Sequence, residues 1–383
     1  MTATTDLAAI HSLAEFEGLA RERMEPAAYD YVAGGSWDEL TLADNEAAWR
    51  RWRLRPRVLV DVERVDAARE AFGRRLSMPV AIAPMAAQAL AHPDAEVAMA
   101  RAAASAGIPF CLSTVSSCSI EEVARGAPDA IRWFQLYEHT DRTFTRRLCE
   151  RAAEHGYDAV LLTVDLPVVG YRERDRRHGF ELDVHLGNFP GGHPGHGGEA
   201  ETGYEALGHQ RHLALGWADV ATVRGWSGLP VVLKGIMTAE DARLAVEHGA
   251  DAIVVSNHGA RQLDRVLATA DVLEEVVDAV GARLPVWVDG GIRRGLDVLV
   301  ALALGADGVL IGRPMYWALA AGGEAGVARA LAILREESEL GMALLGARTL
   351  DGITRDHLAR ERRPMPAPSG RTSSSVLREL RER

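Results

Sequence analysis

His258 and Arg261 stand three residues apart, directly after the β-branched run Ile253-Val254-Val255 in IVVSNHGARQLD. An imidazole accepts or gives a proton near neutral pH, and a guanidinium grips a carboxylate through paired N–H donors. Together they suit an acidic substrate that must lose a proton. A parallel strand buried on both faces needs no polar alternation, so an apolar run ending abruptly in Ser256-Asn257-His258 reads as a strand whose carboxyl end opens into a site. Alone, a His-x-x-Arg reads as a strand end with a surface His and Arg; its company elsewhere in the chain overturns that reading.

That company follows a rhythm. Short apolar runs recur at 79–84, 109–114, 131–137, 159–165, 230–236, 252–259, 285–291 and 308–314, mostly separated by alanine-rich helical stretches. The phrase Gly-Ala-Asp, at Gly249 and again at Gly305, is an αβ turn feeding the next strand. Eight strand–helix units predict a (β/α)₈ TIM barrel. The alternative, a Rossmann-like sheet, lacks a GxGxxG turn after its first strand. Helices over about 7–55 precede a barrel over about 78–345, all in one domain spanning 1–383. Gly326 to Leu345 reads as one or two closing helices, and a flexible tail is expected from about 363 to 383. Between Arg172 and Val223 a long connection rich in Gly, His and Pro reads as a flexible loop after strand four, an active-site flap. His193 and His196 within it lack the carboxylates or cysteines that a metal site would add, so no metal is expected.

In such a barrel, reactive groups belong at the carboxyl ends of the strands. Those ends carry Pro84-Met85-Ala86, Ser113, Gln135 with Tyr137, Thr163 with Asp165, Lys234, Ser256 with His258, Asp289, and Gly312-Arg313. Asp289-Gly290-Gly291-Ile292-Arg293 and Gly312-Arg313 each offer backbone N–H groups, a guanidinium and glycines, at the ends where barrels most often hold a phosphate. A phosphate there would anchor a cofactor such as flavin mononucleotide. Lys234 could then stabilise negative charge on a reduced flavin, or alternatively form a Schiff base as in barrel aldolases. Asp165 is placed to orient His258 and to favour its protonated form.

Composition narrows the classes. A formal charge of −11 argues against a nucleic-acid partner, and the local cluster Arg172 to Arg177 reads as a solvated face. Three cysteines without CxxC spacing point to reduced thiols in a cytoplasmic setting. The amino terminus lacks a signal-peptide pattern, no run approaches the roughly 18 apolar residues of a membrane span, and the carboxyl end carries no peroxisomal address. No membrane partner is expected.

Taken together, YDYVAGGSWDE, IRWFQLY, LTVDLPVVGYRERD, LKGI, SNHGARQLD and VDGGIRRGLDVLVALALGADGVLIGRP resemble the FMN-dependent (S)-2-hydroxy acid oxidases and dehydrogenases over about residues 25 to 360. The resemblance implies FMN as cofactor, a small 2-hydroxy acid as substrate, O₂ or another redox carrier as electron acceptor, and a homotetramer. It implies His258 as the proton acceptor supported by Asp165, and Arg172 and Arg261 as the carboxylate clamp. Tyr31 and Tyr137 match tyrosines that hydrogen-bond the substrate. Lys234 matches the lysine at the flavin N1/O2 edge. Pro84, Met85, Ala86, Ser113, Gln135, Thr163 and Ser256 match flavin contacts, while Asp289 to Arg293 and Gly312-Arg313 match the ribityl and phosphate site.

Two departures carry information. Val115 stands where glycolate oxidase has tryptophan, which predicts room for a substrate larger than glycolate, lactate- to mandelate-sized. Fewer than thirty residues precede the matching region, so no amino-terminal haem domain is expected. Proton removal from the substrate hydroxyl with hydride transfer, and removal of the α-proton to give a carbanion, are both compatible with these residues. A flavin-binding sensor without turnover and the Lys234 aldolase are the readings from other classes.

Overall fold

The computed structural model describes residues 6–192 and 212–360. Eight parallel strands close into a barrel: β1 (Val80–Ile82), β2 (Pro109–Ser113), β3 (Ile131–Leu136), β4 (Ala159–Thr163), β5 (Val231–Ile236), β6 (Ala252–Val255), β7 (Val286–Val288) and β8 (Gly308–Ile311). Three helices precede it: α1 (Leu13–Arg23), α2 (Pro26–Ala33) and α3 (Leu40–Arg50). Around and after the barrel run α4 (Ala95–Ala106), α5 (Ile120–Gly126), α6 (Arg142–Glu154), α7 (Glu173–His178), α8 (Asp219–Ser227) and α9 (Ala239–Glu247). The last are α10 (Thr269–Val280), α11 (Gly295–Leu304) and α12 (Arg313–Leu345). Every expected strand is present, and the barrel is the one read from the rhythm of apolar runs.

The period of two along a strand divides the core. Ala81, Cys111, Trp133, Leu161, Val232, Val254, Trp287 and Leu310 form one cluster, the interior plug of the barrel. Their strand neighbours, such as Ile82, Leu112, Phe134, Leu162, Leu233 and Val255, belong to a second cluster shared with the helices. Two residues beyond each plug residue, the same inward parity recurs at the carboxyl rim: Ala83, Ser113, Gln135, Thr163, Lys234, Ser256, Asp289 and Gly312. Below the plug, an unforeseen hairpin (Arg69–Ala71 with Arg74–Leu76) sets Phe72 edge-on to Trp133, centroids 5.3 Å apart.

Two expectations need correction. Over its described residues up to 192, the connection after β4 carries α7, and Leu182, Leu186 and Phe189 bury themselves in the core. Asn188 anchors it by accepting from the Ile120 N–H and donating to the Thr114 carbonyl. These apolar residues supply the burial that a composition reading dominated by Gly and Pro overlooked. His193, His196 and the tail from 363 lie outside the described residues. The closing helix, expected from Gly326, starts at Arg313 and breaks its helical geometry at Gly322 and Gly323. By length and composition α12 could cross a bilayer, but 67% of its apolar stretch is buried in this fold, as in a core helix.

The amino-terminal helices are fastened to the carboxyl rim. Asn45 on α3 and Asn257 after β6 exchange side-chain hydrogen bonds of 2.9 and 2.8 Å. The Trp49 indole donates to the Gly290 carbonyl at 2.8 Å. Gly291 has φ +78, and a Cβ there would meet the Asn45 carbonyl at 2.0 Å, so α3 can approach only a glycine. Replacing Asn45 with Ala removes both of these bonds and leaves the buried Asn257 amide only the Leu267 carbonyl at 3.4 Å and the Ala260 N–H at 3.2 Å. Thermal or denaturant unfolding of Asn45→Ala is expected to show a loss of about 1–3 kcal/mol.

Candidate active site

At the end of β6 the chain turns through three successive left-handed residues, His258 (φ +59), Gly259 (φ +62) and Ala260 (φ +62). For the two that carry a Cβ this costs on the order of 1–3 kcal/mol each. Hydrogen bonds hold the turn: the His258 N–H donates to Ser256 Oγ at 3.1 Å, and the Ala260 N–H to Asn257 Oδ1 at 3.2 Å. The strain presents the imidazole to the barrel mouth.

His258 Nδ1 lies 2.8 Å from Asp165 Oδ1, and Nε2 lies 3.2 Å from the Tyr137 hydroxyl. Asp165 reaches this position because β5 is bulged against β6 between Lys234 and Ile236. There Gly235, at φ +120, leaves room where a Cβ would strike the aspartate at 2.6 Å. Burial pulls the His258 pKa below its ordinary value; Asp165 opposes this, while Lys234 and Arg172 reinforce it. Asp165 thus acts toward the protonated form, the direction expected of it, and burial with Lys234 and Arg172 outweighs it. On Asp165 burial acts upward, but His258 and Lys234 outweigh it and hold the carboxylate low. A neutral imidazole whose Nδ1–H faces a carboxylate keeps its Nε2 lone pair toward the cleft.

Lys234, only 5% exposed, donates to Ser256 Oγ at 2.8 Å and pairs with Asp289 Oδ2 at 2.9 Å. Burial lowers its pKa, yet Asp289 and Asp165 outweigh that and the net direction is up. The amine is therefore an ammonium, which disfavours the Schiff-base reading, since that chemistry needs a neutral nucleophile. Across the rim, Gln135 accepts from Ser113 Oγ at 3.1 Å and donates to Thr163 Oγ1 at 3.0 Å.

These groups line one cleft, with about 150 Å³ of cavity volume beneath its open mouth. Its wall contains Tyr31, Pro84, Met85, Ala86, Ser113, Gln135, Tyr137, Thr163, Lys234, His258, Arg261, Asp289, Gly290, Gly291, Ile292, Arg293, Gly312 and Arg313. Three expected site residues stand behind it. Asp165 and Ser256 hold His258 and Lys234 as described. Arg172, 3% exposed, donates from Nε to the Arg261 carbonyl at 3.2 Å. The expected two-guanidinium clamp thus presents Arg261 on the wall and Arg172 as its brace. Val115 is likewise buried and does not line the cleft. Tyr316 is a wall residue that the sequence reading missed; its place one turn after Arg313 on α12 was the available signal. Among the described residues one acidic group, Glu138, His212 and Asp219, has metal-like spacing. Arg142 already occupies the cation's place, 2.9 Å from each carboxylate.

With this geometry in view, the comparisons with known proteins are direct. A model of FMN-dependent dehydrogenases matches residues 20–360. The chain belongs to the FMN-dependent dehydrogenase family. It is 48% identical over 353 residues to glycolate oxidase 3 of Arabidopsis thaliana, covering 91% of this chain and 96% of that protein. An L-lactate oxidase of a Nostoc species is 47% identical over 350 residues, covering 89% and 96%. The crystal structure of mandelate oxidase with (S)-4-hydroxymandelic acid superposes with a TM-score of 0.85 at 43% identity, over 91% of this chain and 98% of that one.

The cleft of this family member fits FMN on its own chemistry. Asp289 Oδ1 is buried with no hydrogen-bond partner, an acceptor suited to a ribityl hydroxyl. Gly312 lines the cleft, and a Cβ there would take up some of its room in van der Waals contact with Met85 Sδ at 3.6 Å. The α12 amino terminus has no side-chain cap, so the positive end of its dipole is open to an anion. Burial, Arg261 and Arg293 push the Arg313 pKa down to about 9. Its donors meet only the carbonyls of Val32, Gly34 and Gly259, so a phosphate would supply the missing negative charge. Lys234→Met would leave buried Asp289 without its counter-charge. Denaturant unfolding of that variant is expected to show a loss of about 3–5 kcal/mol.

Proposed function

We propose that this protein oxidises an (S)-2-hydroxy acid, lactate- to mandelate-sized, to the 2-oxo acid, with O₂ as the electron acceptor and hydrogen peroxide as co-product. The observation that carries this reading is the His258 imidazole, held at Nδ1 by Asp165 and lining one cleft with Arg261 and Lys234. Bound FMN supplies the two-electron acceptor. The chain's residues do the rest. Arg261 and the Tyr31 hydroxyl hold the substrate carboxylate, and Arg172 braces Arg261 while adding a second positive charge. This orients the reacting carbon before chemistry, an effect that can supply several kcal/mol of barrier lowering. Tyr137 hydrogen-bonds the substrate next to the base. His258 Nε2 takes a proton from the bound hydroxy acid, and Asp165 stabilises the imidazolium that forms. Lys234 places a fixed positive charge where negative charge develops.

The relatives named glycolate oxidase and L-lactate oxidase, and the mandelate oxidase structure, support both the reaction and the substrate range. Association into a homotetramer belongs to the same reading. It is supported by Val58, Leu59, Leu340 and Leu344, all exposed and drawn to one edge by the Arg57 N–H to Leu345 carbonyl bond; light scattering tests it. A cytoplasmic setting is supported by three free cysteines.

The deciding experiment adds (S)-lactate, (S)-mandelate and glycolate to the yellow protein without oxygen, then admits air. Bleaching followed by rapid recovery is the expected result. Slow recovery in air would indicate a carrier other than O₂, and no bleaching with any hydroxy acid would leave a flavin-binding protein without turnover. In His258→Ala, substrate bleaching should disappear while the yellow colour stays; fast bleaching there removes His258 from its role. The pH dependence has a definite sign. The active base is the deprotonated imidazole and its pKa lies below 6.5. Hence kcat/KM should rise through a pKa under that value and then stay level toward pH 8, as a pH–rate profile would show.

A further inference from the structure

We infer that Phe180, which does not line the cleft, positions Tyr31 for the substrate carboxylate. The inference rests on the reading of Tyr31 given above. Phe180 stacks on the Tyr31 ring with centroids 4.7 Å apart and planes 18° from parallel. The Arg261 guanidinium also lies over that ring, 4.8 Å from its centroid, and donates to the Tyr31 carbonyl. Phenol, guanidinium and Phe180 therefore form one contiguous stack, and only Phe180 belongs to the segment after β4.

The ring has a fixed platform. Gly179 ends α7 in the left-handed region at φ +56, and the Phe180 N–H returns to the Asp175 carbonyl at 2.8 Å. That closure ties the ring to the helix. The helix in turn is tied to α2 through Asp30, which pairs with Arg174 at 3.4 Å and lies 2.8 Å from His178 Nε2, while Arg174 also pairs with Glu39 just before α3. Asp30 immediately precedes Tyr31, so both contacts act on the turn that carries the phenol. Ion pairs this exposed contribute little energy individually; their effect here is to set the helix orientation. Arg172, the brace of Arg261, is the residue just before α7. One short helix thus fixes a neighbour of each carboxylate-binding group, through Phe180 on one side and Arg172 on the other.

A residue that acts only by orienting Tyr31 leaves a specific kinetic signature. The FMN-loaded wild type, Phe180→Leu, Phe180→Tyr, Tyr31→Phe and the Tyr31→Phe/Phe180→Leu double variant are compared with (S)-mandelate and (S)-lactate. Leucine keeps the apolar bulk, so folding and flavin content should persist. Phe180→Leu should raise KM about three- to tenfold, the worth of one aromatic stack, with kcat within about twofold. Phe180→Tyr restores the stack and should restore KM. In the Tyr31→Phe background the same leucine change should add less than about a twofold effect. An unchanged KM in Phe180→Leu, when Tyr31→Phe raises it, overturns the inference. So does an equal rise in both backgrounds, or a fall in kcat at constant KM. An unchanged KM in Tyr31→Phe itself would instead remove Tyr31 from the substrate site, and the role of Phe180 with it.

Discussion

A lysine ammonium almost wholly out of water must be neutralised, and in this barrel that requirement organises the floor of the site. Lys234 rises from the inward face of β5 between Asp289 on one side and the Asp165–His258 pair on the other. Removing any one of these charges leaves another buried and uncompensated, a penalty of several kcal/mol. The balance also sets the protonation of the imidazole. Positive charge from Lys234 and Arg172 adds to burial, and the carboxylate of Asp165 does not reverse the sum. A base that is neutral before substrate arrives is the consequence.

The amino-terminal helices are part of that site. Asn45, Trp49 and Glu46 on α3 bond to Asn257, the Gly290 carbonyl and Arg293. The Tyr31 and Gly34 carbonyls of the preceding segment accept from Arg261, and those of Val32 and Gly34 from Arg313. The strained turn at His258–Ala260 joins this set through the Gly259 carbonyl, which accepts from Arg313, and the Ala260 carbonyl, which accepts from the Ser36 N–H, so backbone strain is distributed over an interlocked set of hydrogen bonds. Guanidiniums that grip backbone carbonyls on one side and face an anion-ready cleft on the other join scaffold to chemistry.

Much of this was legible in the amino-acid sequence, for a reason that can be stated. Inward parity places Ser113, Gln135, Thr163, Lys234, Ser256, Asp289 and Gly312 two residues beyond the apolar plug of their strands. Any sequence with eight such runs announces which residues ring the mouth once the strands are known to close. What escaped was contact without period. Tyr316 reaches the cleft from a helix, Phe180 reaches Tyr31 from a connection that composition marked as loop, and Val115 faces core although its neighbours Ser113 and Thr114 bond across the rim.

The order of apolar runs, the polar residue ending each one and the glycines after β7 and β8 were determined by the chain alone, because strand parity and backbone sterics are local. Which of two arginines meets the cleft, and whether burial or Asp165 wins at His258, only the tertiary structure decided. Those outcomes depend on distances and desolvation between residues up to 93 positions apart in the chain, and electrostatic energy follows separation in space and loss of water, neither of which a linear sequence contains.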